Sequence, residues 1–248
     1  MSGYEAAVSP ICGTSDERNL EYARSFTPEK FFRELIPNRA PVIFDVGAHK
    51  GESVKFFSKI FSHSTIYSFE PDPENYQALL SNCTSFEPGL DRWTPVNVAV
   101  GNQLGTCTYF KQNLSHLGGL LPVNRASKDS LGYAEGALNE EVEVEVTTLD
   151  HYVSMNNIDT VDLIKIDVQG FELDVLKGGR EVLRSTRVCI VEISLYDFYG
   201  RGSSLLGVEK EMKEAGLVLW DILKISKNPK NFRTDWVELC YARLDLPR

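Results

Sequence analysis

Val42-Ile43-Phe44-Asp45-Val46-Gly47-Ala48-His49-Lys50-Gly51-Glu52-Ser53 is an apolar run that ends in an acid, then a tight turn with two glycines that opens into a helix. A second apolar run, Thr65-Ile66-Tyr67-Ser68-Phe69-Glu70, again ends in an acid, and Glu70 lies 19 residues after Gly51. This layout suits a nucleoside-bearing ligand held across the first two strands of an open α/β sheet. The glycines let the backbone come close, and the acid receives ribose hydroxyls. An ordinary strand–turn–helix would also explain the loop alone; Glu70 at its spacing favours the ligand.

Glycine spacing selects the nucleoside. A dinucleotide fingerprint reads G-x-G-x-x-G, and its middle glycine admits a pyrophosphate. Here the pattern is Asp45-x-Gly47-x-x-x-Gly51, without that glycine. The Asp45 carboxylate is unwelcome beside a pyrophosphate and suitable beside an ammonium. S-adenosyl-L-methionine carries an ammonium, a sulfonium, a carboxylate and a ribose diol, and matches this loop better than a nicotinamide dinucleotide does. The expected cradle takes Asp45, Gly47, Ala48, His49, Gly51 and Ser53 from the first turn and Glu70 and Pro71 from the second. Backbone around Gly47 and Gly51 holds the methionine moiety, and the helix from about Glu52 helps hold its carboxylate. Asp45 reaches the ammonium directly or through water, Glu70 takes the ribose, and Asn97 serves the adenine edge.

Composition limits the alternatives. The 248 residues suit one α/β domain with short additions, and 42% hydrophobic with 25% charged residues is ordinary for a soluble protein. No apolar run approaches the ~18 residues needed to span a bilayer. Met1 to Asp16 shows no basic segment followed by an apolar one, so a cytoplasmic protein without membrane attachment is expected. Five scattered cysteines, Cys12, Cys83, Cys107, Cys189 and Cys240, argue against a disulfide framework or a zinc site. A net charge of −9 without a basic cluster disfavours a nucleic-acid substrate. A small-molecule acceptor is the expected partner, with homo-oligomerisation left open.

Along the chain, residues 1–40 form an N-terminal helical extension, with Thr27-Pro28 starting a helix whose apolar stripe is Phe31, Phe32, Leu35 and Ile36. It is expected to lean on the domain edge and to shape the substrate mouth. Residues 41–248 alternate strands and helices: strands at 42–45, 65–70, 95–100, 161–167, 188–195, 217–225 and 236–244, with one helix over about 171–184. Such alternation demands a mostly parallel sheet with helices on both faces. Residues 103–148 break the rhythm. Two period-two segments there, 106–110 and 141–147, predict a small antiparallel extension, and the long connection between them reads as a lid.

Val161-Asp162-Leu163-Ile164-Lys165-Ile166-Asp167-Val168-Gln169-Gly170-Phe171-Glu172 is the second informative segment. Ligands of open α/β sheets collect outside the carboxyl ends of the strands, so Asp45, Glu70 and Asp167 are expected on one rim, with Lys165 beside Asp167. At this point the sequence resembles the FkbM family of S-adenosylmethionine-dependent methyltransferases. The matching segments are residues 45–53, 69–82, 96–102, 146–153 and 163–179. The resemblance implies a class I methyltransferase, with a Rossmann-like, mostly parallel seven-stranded sheet whose last strand is antiparallel. It further implies methyl transfer to an oxygen of a secondary metabolite or saccharide. The family often has Glu where this chain has Gln169. Cofactor contacts extend to Asp167, Val168 and Gln169.

Methyl transfer to a neutral alcohol needs a proton acceptor. Asp167, Glu192 and His116 are the candidates, with Lys165 orienting Asp167 and His49 a further histidine near the turn. No metal is expected. Two other readings stand beside this one: a nicotinamide-dependent oxidoreductase, which the missing glycine disfavours, and a cofactor-binding scaffold without catalysis.

Overall fold

The computed structural model describes residues 13–84, 92–127 and 132–244. The N-terminal arm contains α1 (Ser15–Ser25), capped by Thr14 and Glu17 in a reciprocal box, and α2 (Pro28–Leu35), capped by Thr27 with Pro28 at its first turn. The alternating part follows as β1 (Val42–Val46), α3 (Glu52–Ile60), β2 (Thr65–Phe69), α4 (Pro73–Thr84) and β3 (Trp93–Val96). A small sheet comprises β4 (Ala99–Val100), β5 (Gly105–Lys111) and β6 (Glu140–Thr147). The chain then continues through α5 (Leu149–Met155), β7 (Leu163–Ile166), α6 (Glu172–Lys177), α7 (Arg180–Ser185), β8 (Val188–Ser194), α8 (Leu205–Glu214), β9 (Val218–Lys227) and β10 (Thr234–Ala242).

The main sheet has seven strands in the order β3-β2-β1-β7-β8-β10-β9. Neighbours from β3 to β8 run parallel, and β10 lies antiparallel between β8 and β9. The order reverses between β1 and β7, the switch point where ligands collect. Strand alternation gives each face its own core. Phe44, Val46, Ile164, Ile166, Cys189 and Val191 face α5 to α8, whereas Ile43, Leu163, Val188, Ile190 and Cys240 face α2, α3 and α4.

Three expectations change in detail. The run 95–100 is two strands, because β3 joins the main sheet while β4 pairs with β6 in the small one. The helix expected over 171–184 is broken at Gly178 and Gly179. A Cβ at Gly178 would lie 1.9 Å from the Gly101 carbonyl oxygen, so the break between α6 and α7 admits a backbone contact with the residue that follows β4 of the small sheet. The described part of the N-terminal arm does not shape the mouth. Phe32 and Ile36 are drawn into the core on Phe57, and the Tyr22 hydroxyl donates to Asp221 on the edge strand β9. No described residue before Val46 lines the cleft.

Candidate active site

A cleft of 290 Å³ opens along the carboxyl ends of the central strands. Its wall draws His49 and Ser53 from the first turn, Glu70 and Pro71 from the second, Asp167, Val168 and Gln169 from the third, and Glu192 from β8. Lys165, His116, Gly47 and Ala48 also line it. Most of the residues singled out from the sequence therefore meet in one place.

Asp45 and Gly51 do not line it. Asp45 shares the β1 face with Ile43, so its side chain points under α3 rather than out of the rim; it is fully buried, and neither carboxylate oxygen is within ordinary hydrogen-bond geometry of a partner among the described residues. The Ser53 hydroxyl lies beside it and favours its charged form. Burial pushes the Asp45 carboxyl up to about 6, against the opposing pull of the Lys165 cation. Gly51 is the left-handed N-cap of α3, at φ 93°, and its open side is filled by Cys83 and Leu79.

The first turn is held from within. Gly47 and Ala48 both donate their N–H to the Phe69 carbonyl, each at 3.0 Å, and Gly51 donates to Ala48 at 2.9 Å. The expected backbone cradle around these glycines is thus occupied by the fold itself. The open donors of this region are those of the first turn of α3, where helix geometry leaves N–H groups without an intrahelical partner. Gly47 has a different task. At φ 84°, a Cβ there would sit 1.9 Å from the Asp167 carbonyl oxygen, so the missing side chain lets the turns after β1 and β7 touch.

Glu70 ties two turns together. One oxygen accepts from His49 N–H at 2.8 Å and the other from Asp72 N–H at 3.0 Å. The Asn75 side chain supplies a further hydrogen bond, and the lone pairs that remain are available to a ligand hydroxyl. Burial pushes the Glu70 carboxyl up to about 8, although those backbone donors act against it. Asn97 proves to be a brace and not a wall: its amide donates to the Glu70 and Pro71 carbonyls at 2.8 and 3.1 Å, and it does not line the cleft. The apolar end of the cleft instead uses Phe69, Val98, Val100, Tyr109 and Leu120. Sequence reading missed them; the period-two pattern of β5, which buries Tyr109, was the available signal.

At the far end, Lys165 donates to Asp167 at 3.2 Å, and the Gln169 amide donates to Asp167 at 2.7 Å. Gln169 occupies the left-handed region at φ 57°, accepts from the Tyr199 hydroxyl, and stands 3.5 Å from Glu192. Burial alone would lower the Lys165 ammonium, yet Asp167, Asp45 and Glu238 raise it above its ordinary value. Burial pushes the Glu192 carboxyl up to about 8, with the Asp167 charge adding to the shift and Lys165 opposing it. Phe198 and Tyr199 are buried with Leu121 and Val123 of the lid. They hold the lid in place. His49 Nε2 meets the lid at Ser115 Oγ, 2.9 Å away.

Comparison with known proteins agrees with this geometry. Residues 45–219 match the methyltransferase FkbM domain. The chain belongs to the FkbM methyltransferase family. It is 30% identical over 173 residues to the 2-O-methyltransferase NoeI of Sinorhizobium fredii, covering 66% of this chain and 68% of that one. It is 26% identical over 152 residues to the hexuronic acid methyltransferase AglP of Haloferax volcanii, covering 61% and 55%. Among solved structures, the methyltransferase FkbM of Methylobacillus flagellatus superposes with a TM-score of 0.52 at 16% identity, over 81% of this chain and 44% of that longer one. Membership makes the chain a methyltransferase and displaces the oxidoreductase reading.

The buried acids give the domain a pH signature. Asp45, Glu172, Glu70 and Glu192 are raised by burial to about 6, 7, 8 and 8. Folding therefore takes up protons, and the stability tied to these groups is complete below the unfolded carboxyl range and is lost as pH rises through 6 to 8. His49, lowered chiefly by burial, acts in the opposite direction as a single group. The melting temperature of the ligand-free protein is expected to fall between pH 5 and pH 9 in thermal scans. A rise toward pH 9 would contradict this assignment.

Proposed function

We propose that the chain transfers a methyl group from S-adenosyl-L-methionine to a hydroxyl oxygen of a saccharide or a hydroxylated secondary metabolite. The observation that carries this reading is the meeting of Glu70, Asp167 and Glu192, from three different strand ends, on one cleft wall. The donor groups fit the cofactor. Glu70 offers lone pairs to a ribose diol, the apolar end suits adenine, and the orphaned Asp45 carboxylate provides a negative field below the polar end. When bound, S-adenosyl-L-methionine supplies a methyl group on a cationic sulfur that departs as a neutral thioether.

The chain's own residues do the remaining work. Glu192 accepts the hydroxyl proton at its carboxylate as the acceptor oxygen attacks. A carboxyl raised to about 8 is a stronger base than an ordinary glutamate, which suits a neutral alcohol. Asp167 is fixed by Lys165 and Gln169 and so presents one orientation to the acceptor side. The lid turn at Ser115, held by His49, closes the cleft over the reacting atoms and excludes water. The acceptor class rests on the relatives: NoeI is named for 2-O-methylation and AglP for a hexuronic acid.

Calorimetric titration with S-adenosylhomocysteine and with NADH tests the cofactor. Binding of the first and not the second is expected. Glu70→Ala removes the ribose acceptor and should weaken S-adenosylhomocysteine about 10- to 100-fold, the worth of one or two bonds to a charged group. Full affinity in that variant would place the ribose elsewhere.

A further inference from the structure

We infer that Glu238 and Lys224 form the acceptor-reading wall of the cleft, and that they recognise a hydroxyl adjacent to the one methylated on a saccharide ring. The inference rests on the saccharide reading above and deepens it.

The register puts these groups in a row. Glu238 of β10 stands directly opposite Glu192 of β8, and Lys224 of β9 stands directly opposite Glu238. Lys224 Nζ lies 3.0 Å from Glu238 Oε2, and all three residues line the cleft. On β1 and β7, Asp45 and Lys165 are likewise register partners. Alternation places Asp45, Lys165, Glu192, Glu238 and Lys224 on the sheet face that elsewhere carries Ile43, Leu163, Val188, Ile190 and Cys240. A polar row thus crosses the carboxyl edge of a face whose remainder is apolar.

Such a row needs a reason. Glu238 is only 7% exposed, burying a charge is costly, and the partner that offsets the cost, Lys224, is itself 62% exposed. Directly opposed residues of antiparallel strands have Cβ atoms about 4.5–5.5 Å apart, and like charges there repel. Packing does not require Glu238, because α2, α3 and α4 already cover the apolar part of this face. The cofactor does not require it either. The proposed ribose acceptor Glu70 follows β2, and β10 lies four strands further along the sheet. At about 4.8 Å per strand, that is roughly 19 Å away. The pair therefore stands beyond the point of methyl transfer, on the acceptor side.

The chemistry of the row suits neighbouring hydroxyls. Glu192 receives the reacting hydroxyl. Glu238, one strand away, accepts a hydrogen bond from the next hydroxyl, and Lys224 donates to that hydroxyl's oxygen. Lys224 is 62% exposed and can turn from Glu238 toward a ligand. A vicinal diol thereby satisfies two opposed carboxylates at once. An apolar acceptor would strip water from the same groups and return nothing, so the wall selects against it.

The test uses the full-length protein, methyl glycosides of common hexoses and 6-deoxyhexoses, and their monodeoxy derivatives. Methyl transfer is followed by S-adenosylhomocysteine release. Glu238→Gln and Lys224→Met should each raise KM for an accepted glycoside about tenfold, leave kcat within about twofold, and leave S-adenosylhomocysteine affinity unchanged. Removing the adjacent hydroxyl from the acceptor should penalise the wild type equally and the Glu238→Gln variant no further. An unchanged KM in both variants overturns the inference, as does a matching loss of cofactor affinity. If the wild type binds S-adenosylhomocysteine but methylates none of the glycosides, the saccharide reading itself fails.

Discussion

Glu192→Gln is expected to lower kcat for methyl transfer by 10²- to 10⁴-fold, the usual contribution of a positioned general base, while S-adenosylhomocysteine affinity stays at the wild-type value. The change is isosteric, and Glu192 lies on the cleft wall with, among the described residues, Gln169 alone near side-chain hydrogen-bond range, at 3.5 Å. Little of the fold depends on its charge. The pH profile gives the sharper signature. Burial and the Asp167 charge push the Glu192 carboxyl up to about 8, so the basic form accumulates as pH rises through that value. Wild-type kcat should climb over this range, and the climb should vanish in Glu192→Gln. If the variant retains the climb, another group takes the proton, and Asp167 or His116, both on the same wall, becomes the base.

Gly47→Ala is expected to destabilise the domain strongly and to distort the cofactor side of the cleft. Two costs coincide. The residue sits at φ 84°, a left-handed conformation that costs an L side chain about 1–2 kcal/mol. The added Cβ would also fall 1.9 Å from the Asp167 carbonyl oxygen, which is backbone and cannot rotate away. Overpacking of this kind adds about 1–3 kcal/mol. Together these predict a destabilisation of about 2–5 kcal/mol, or roughly 5–15 °C in melting temperature for a chain of this size. Whatever remains folded should have the turns after β1 and β7 pushed apart and should lose S-adenosylhomocysteine binding. Gly105→Ala is the control: its φ of 138° is also positive, but a Cβ there would meet nothing within 4 Å. Equal melting temperatures for Gly47→Ala and the wild type would show that the two turns do not touch.

The reading of the chain succeeded where a signal is local. The strands at 42, 65, 163 and 188 declare themselves by apolar runs ending at acids or turns, and the parallel order follows because short helical crossovers permit little else. Glu70, Asp167, Lys165, Gln169 and Glu192 could be nominated because each stands within three residues of the carboxyl end of a strand, and such ends share one rim. Asp45 was misjudged for an equally simple reason. Being one residue short of the strand end, it obeys the strand's alternation and turns under α3 beside Ser53. Asn97 was misjudged because an amide near a strand end serves equally well to brace a turn, and only the Glu70 and Pro71 carbonyls reveal which use is made of it.

Glu238 and Lys224 show the other limit. In sequence, Thr234-Asp235-Trp236-Val237-Glu238-Leu239 carries acids at odd and even positions with no clean alternation to single out Glu238, and Lys224 lies in another strand. Only antiparallel pairing of β10 with both β8 and β9 brings them beside Glu192. By itself, then, the order of residues determined the sheet, its switch point and the acids that end its strands, since periodicity and turn chemistry act over neighbouring positions. Which acids face the cleft, which amides are already engaged, and what stands across from the base were decided by the tertiary structure. Those depend on register and packing between segments far apart in the chain, and no short window of sequence contains that information.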